Sequence, residues 1–129
     1  MTTNTQLDEY CNELFGSMYH GTAPSDQIPT LTKERPYAII NTHTVQQGGR
    51  HWVSLCLSDD GSYIVFDSYG RPIQTLIPSL YNHAQGRGYE LKQTDMDKDQ
   101  TVEQTDCGSR CAAWLRLYND YGEDVAMLI

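Results

Sequence analysis

The chain has 129 residues, 39% of them hydrophobic and 20% charged, which fits one globular domain (residues 1–129) and excludes a disordered or fibrous chain. Its net charge of −8 argues against a general nucleic-acid binder, which needs a positive surface, and suits a basic substrate or partner. No apolar run approaches a membrane span and residues 1–15 lack the apolar stretch of a signal peptide, so the expected setting is a reducing, intracellular one without membrane contact.

From Thr3 to Phe15, the residues Leu7, Cys11, Leu14 and Phe15 recur at helical spacing, with Thr3 or Asn4 as a cap and Gly16 as a stop. Residues 16–35 contain Gly16, Gly21, Pro24 and Pro29 and read as a long ordered loop. Pro36 to Asn41 reads as a short buried strand. Gln46-Gln47-Gly48-Gly49 then turns into a strand from His51 to Leu57, with Val53, Leu55 and Leu57 on one face and Trp52, Ser54 and Cys56 on the other. Asp59-Asp60-Gly61 is a turn signal, and Ser62 to Phe66 is the returning strand. Such a hairpin brings the start of one strand to the end of the other, where His51 and Asp67 stand. Ile73 to Tyr81 reads as helical, with Pro78 as a break or kink. Tyr89 to Gln93 fits a further strand, and Asp95 to Gln100 is polar and exposed. Cys107 to Tyr121 has Cys111, Trp114, Leu115 and Tyr118 on one helical face, with Gly122 as the stop.

His51, Asp67, Gln100 and Cys107 together are the groups that thiol acyl transfer requires: a base, a carboxylate to orient it, an oxyanion donor and a nucleophile. Cys107 falls in the first turn of a helix that Thr105 or Asp106 can cap, where the helix dipole and a nearby histidine favour thiolate. Gln104 competes with Gln100 for the oxyanion role. Trp52 either shields the imidazole or is a core tryptophan, and Gly108 either lets a substrate backbone approach or serves helix-start geometry. Cys11 and Cys56 read as small buried hydrophobes, and His20, His43 and His83 as ordinary histidines. Cys107 and Cys111 form a C-x3-C pair, but no second Cys or His pair matches it, so no metal is expected.

Gly49-Arg50-His51-Trp52, Phe66-Asp67-Ser68-Tyr69-Gly70, and Gln100 followed seven positions later by Cys107-Gly108 resemble the adenovirus protease (adenain) family, whose relatives include the ubiquitin-like-protein proteases. Ser25 to Pro29 and Ile39 to Asn41 resemble the family's stretch upstream of the histidine. The resemblance spans about Leu14 to Trp114. It implies an α+β, papain-like fold: a central, mostly antiparallel sheet packed by helices, with the nucleophile at the N-terminus of a buried helix. It implies His51 as base, Asp67 as its orienting carboxylate, Cys107 as nucleophile, and Gln100 with the Cys107 amide as the oxyanion hole. Trp52, Gly49 and Gly108 are the substrate-binding positions it suggests. The implied activity is a viral cysteine endopeptidase that processes structural or precursor proteins in the host cytoplasm or nucleus, or packaged in a virion. The alternatives are a protease removing ubiquitin or a ubiquitin-like modifier, and a binding protein that keeps the fold without turnover. The chain departs from the family in being shorter and acidic. DNA activation is therefore not carried over and no cofactor is expected, while an activating peptide is left as a partner.

Overall fold

The computed structural model describes residues 4–43, 51–94 and 107–129, with Cys107 described by its backbone alone. Helix α1 (Asn4–Phe15) buries Leu7, Cys11 and Phe15, one residue per turn, as the spacing predicts. A 3-10 turn (Gly16–Met18) leads into strand β1 (Tyr19–Ala23), followed by β2 (Tyr37–Asn41), β3 (Trp52–Leu57) and β4 (Tyr63–Phe66). Helices α2 (Ile73–Leu76) and α3 (Pro78–Gly86) precede β5 (Leu91–Gln93), and α4 (Cys107–Tyr121) and α5 (Glu123–Ala126) complete the described residues.

The strands form one sheet in the order β1-β2-β3-β4-β5. Only its two inner pairings are antiparallel, and both outer pairings, β1 with β2 and β4 with β5, are parallel. The expected mostly antiparallel sheet is thus corrected to a mixed one. The β4–β5 pairing follows from α2 and α3, which form the long crossover that a parallel pair requires.

Period-2 alternation along β3 and β4 divides the core in two. Trp52, Cys56, Ile64 and Phe66 pack with α1 and α4 on one face of the sheet. Val53, Leu55, Tyr63 and Val65 pack with Ile73, Ile77, Leu80 and Ala84 of the α2–α3 segment on the other. The result is a three-layer α+β domain. Helix α4 is amphipathic rather than fully buried: Cys111, Ala112, Trp114 and Leu115 face inward while Ser109, Ala113 and Arg116 are exposed.

One other local expectation changes, and two are met with added detail. The segment read as a loop from 16 to 35 contains β1. That strand is an edge whose residues after Tyr19 are only half-buried, so it carries little apolar pattern. It is held by Asp8, whose Oδ1 accepts from Thr22 N (3.0 Å), Thr22 Oγ1 (2.8 Å) and Tyr19 Oη (3.3 Å). Pro78 breaks the helical stretch, the first of the two outcomes expected, and starts α3, because proline at the first helical position forfeits no internal hydrogen bond. Gly122 does end α4, with φ of +88°, but a further short helix follows it. Among the described residues no helix is long and apolar enough to cross a membrane.

Candidate active site

The β3–β4 hairpin ends its ladder at Ser54 opposite Phe66. Asp67 is the next residue on one strand, and His51 lies just before the other. His51 Nε2 and Asp67 Oδ1 meet at 2.6 Å, with the two residues 7% and 2% exposed. The juxtaposition that the hairpin predicts is present.

A tight turn follows Asp67. Its carbonyl accepts from Gly70 N at 2.9 Å, and Gly70 has φ of +67°. Asp at the first position and Gly at the fourth favour this turn. It folds three further donors back onto the carboxylate. Oδ1 also accepts from Tyr69 N (3.2 Å), and Oδ2 accepts from Arg71 N (2.9 Å) and Arg71 Nε (3.3 Å). Burial is the largest single influence on Asp67 and opposes ionisation, but the bonds from His51, Arg71 N and Tyr69 N together hold its carboxyl below the ordinary value. An ionised carboxylate only accepts, so Nε2 of His51 carries a proton and the basic nitrogen of the neutral ring is Nδ1.

Helix α4 is docked on the same end of the sheet. Ser54 Oγ donates to Cys111 O at 2.8 Å, and Cys111 Sγ donates to Trp52 O at 3.2 Å. A helical carbonyl points toward the C-terminus and the side chain leans toward the N-terminus. The first meets Ser54 and the second Trp52, so α4 runs in the same direction as β3. One turn back from Cys111, on the same helix face, the backbone of Cys107 therefore lies toward the His51 end of the strand.

The other predicted positions divide clearly. Trp52 is 3% exposed, and its indole N–H donates to Asn4 Oδ1 at 2.7 Å, which is the setting of a core tryptophan. A Cβ on Gly108 would meet Leu7 Cδ1 at 3.0 Å, so its smallness serves the α1–α4 contact. Gln100, Gln104, the caps Thr105 and Asp106, Gly48, Gly49 and the Cys107 thiol lie outside the described residues. Burial pushes the Cys11 thiol up to about 11 and the Cys56 thiol further, which keeps both protonated. Among the described residues no cluster of His, Cys, Asp and Glu is arranged to hold a metal.

Two residues at the site escaped the sequence reading. The Tyr69 ring packs against the imidazole with centroids 4.8 Å apart and planes tilted by 42°, and Arg71 Cζ lies 4.8 Å from the Tyr69 centroid. Their signal is only their place, two and four residues beyond the aspartate. Two shallow grooves flank the first turns of α4. One is lined by Gln6, Leu7, Glu9, Tyr10, Glu13 and Ser109, the other mainly by Phe66, Arg110, Trp114 and Ile129.

No protein family model matches the chain, and no curated protein matches it. The family resemblance therefore rests on the residues themselves.

Proposed function

We propose that the chain is a cysteine endopeptidase of adenain-like type with a papain-like arrangement of His51, Asp67 and Cys107. The observation that carries the reading is the buried 2.6 Å pair of His51 Nε2 and Asp67 Oδ1, at the strand end toward which α4 brings the backbone of Cys107. The pair leaves Nδ1 as the ring's basic nitrogen. In this reading that nitrogen accepts a proton from a thiol, and Cys107 is the cysteine whose backbone lies toward that end. Cys11 and Cys56 are deep in the core, and Cys111 is committed to docking α4.

In this reading His51 takes the thiol proton, and the Cys107 thiolate attacks a peptide carbonyl carbon. Gln100 and the Cys107 amide hold the resulting oxyanion. Collapse breaks the C–N bond, His51 gives its proton to the departing amine, and a thioester remains. His51 then takes a proton from water as it attacks the thioester, and the thiol is regenerated with release of the acid. The substrate is a protein or peptide, such as a viral structural precursor. Glu9 and Glu13 beside the first turn of α4, and the chain's net charge, suit a basic one.

The test uses peptide-based and ubiquitin-like C-terminal electrophile probes on the wild type and Cys107→Ala, read by intact mass. A peptide-probe adduct that the substitution abolishes is expected. An adduct with the modifier probe alone would redirect the reading to deconjugation. Absence of any Cys107-dependent adduct would overturn it in favour of a binding protein of this fold.

A further inference from the structure

His51, Asp67, Arg71 and Tyr69 form a closed ring of contacts. The carboxylate of Asp67 holds the imidazole on Oδ1 and the Arg71 Nε and main-chain N–H on Oδ2. The guanidinium lies over the Tyr69 ring, and that ring packs at a tilt against the imidazole. The backbone of the outer arm is pinned as well. Gln93 of β5 donates its Nε2 to Arg71 O and accepts from Ile73 N at 3.1 Å. The anchoring thus reaches the sheet through β5, independently of the hairpin. Exposure is graded across the ring: Asp67 is buried, Tyr69 half-buried, and the Arg71 side chain 46% exposed. Tyr69 and Arg71 form the outer wall, and the imidazole and carboxylate lie behind it.

We infer that Tyr69 and Arg71 are positioning residues for the His51–Asp67 pair, Tyr69 fixing the plane of the imidazole and Arg71 fixing the carboxylate that orients it. The role follows from what an imidazole needs to act as a base on one nitrogen. Rotation of the ring by half a turn would put Cδ2 where Nδ1 lies and Cε1 where Nε2 lies, taking both nitrogens out of place. One hydrogen bond limits that motion, and an aromatic ring packed at a tilt of 42° against the imidazole limits it further. A planar guanidinium suits the task because it bonds through its edge and stacks through its face at the same time. Lysine matches the charge but not this geometry.

The charged and titratable groups that the described contacts place around the imidazole are Asp67, Tyr69 and Arg71, all from the segment after β4. Helix α4 brings Cys107 to the same strand end, so a thiol titration must be removed from the measurement. Once the ring is protonated, two cations share one carboxylate here. Loss of the guanidinium removes a positive charge from beside the carboxylate, whose main-chain donors remain, and favours the imidazolium, raising the ring's titration midpoint. Arg71→Lys retains the charge and keeps the midpoint near its starting value. Tyr69→Leu retains the charges and removes the aromatic ring.

The inference takes His51 as the base of the proposed peptidase, but its test reads the ring itself. Nitrogen-15 NMR of the His51 ring is followed against pH in the full chain carrying Cys107→Ser, alone and with Arg71→Gln, Arg71→Lys, Tyr69→Phe or Tyr69→Leu. The expected result is a raised midpoint in Arg71→Gln only, and exchange of the Nε2 proton at least about tenfold faster in Tyr69→Leu than in Tyr69→Phe. Unchanged midpoint in Arg71→Gln together with unchanged exchange in Tyr69→Leu would overturn it, even if the variants lose stability. Failure of the peptidase reading would appear elsewhere, as absent probe adducts with these ring signals intact.

Discussion

Asp67→Asn keeps the shape of the side chain and removes its charge, so it isolates what the carboxylate contributes. Four donors converge on the two oxygens: His51 Nε2 and Tyr69 N on Oδ1, Arg71 N and Nε on Oδ2. The amide NH2 of Asn must occupy one of those positions. At Oδ2 it would oppose two donors of Arg71. At Oδ1 it opposes only the longer bond from Tyr69 N, and it can donate to His51 Nε2 once the ring proton moves to Nδ1. The second arrangement is the better one. It forfeits one hydrogen bond and replaces charge-assisted bonds by neutral ones, a loss of about 2 kcal/mol. The pH dependence has a definite sign. The folded carboxyl is held below its ordinary value, so its stabilisation is fully present above the unfolded value near ~3.9 and is lost as pH falls through the lower folded value. Urea unfolding of both proteins should show a gap of about 2 kcal/mol at pH 7 that narrows below about pH 4. A gap that stays constant down to about pH 3 would refute the ionised, four-donor description. The same tautomer switch puts a proton on the nitrogen that has to act as base, so turnover of a peptide substrate should fall about 10⁴-fold.

Gly108→Val should destabilise the fold by about 1–3 kcal/mol, because its side chain would be driven into Leu7, and Leu7→Ala should recover part of that loss in a double-mutant cycle; strictly additive costs would refute the contact. Asp8→Ala removes the acceptor for Thr22 N, Thr22 Oγ1 and Tyr19 Oη, a cost of about 1–3 kcal/mol, and amide exchange should quicken along β1 while β3 stays protected. Equal acceleration in both strands would count against a local role for Asp8. Gln100→Ala should raise the barrier to peptide turnover by ~3 kcal/mol without abolishing Cys107 labelling. Turnover unchanged by Gln100→Ala and reduced by Gln104→Ala would assign the oxyanion donor to Gln104.

The parts of the site legible in the sequence are those made by near neighbours. His51 and Asp67 stand at the open end of one hairpin, and its alternating apolar residues and Asp59-Asp60-Gly61 turn are local signals. Helix α4 was legible over its whole length for the same reason: its apolar face repeats at 3.6 residues and Gly122 ends it. The edge strand β1 was not. Its residues after Tyr19 are half-buried, and what fixes it is a carboxylate on α1, 14 residues from its partner Thr22. The parallel pairings at both sheet edges likewise depend on where connections travel, which periodicity does not encode. Tyr69 and Arg71 were visible as residues but not as a wall, since packing against His51 requires the hairpin to have formed first.

The docking of α4 shows how the two kinds of information combine. Read as a motif, Cys111 is a second thiol one turn after Cys107, and its meaning is open between metal ligand, disulfide partner and core residue. Its position in the fold decides among these. The buried face of the helix begins Gly108, Cys111, Ala112, all small, and a helix with small residues on its inner face can approach the sheet closely. That approach lets Cys111 Sγ reach Trp52 O and lets Ser54 Oγ reach Cys111 O. The two bonds set the direction and depth of α4 on β3, and the same strand carries His51 at its start. The distance between the imidazole and the first turn of α4 is thus governed by residues that take no part in the proposed chemistry. A bulkier residue at 108 or 111 would lift the helix and separate the proposed nucleophile from its proposed base while leaving His51, Asp67 and Cys107 unchanged in the sequence.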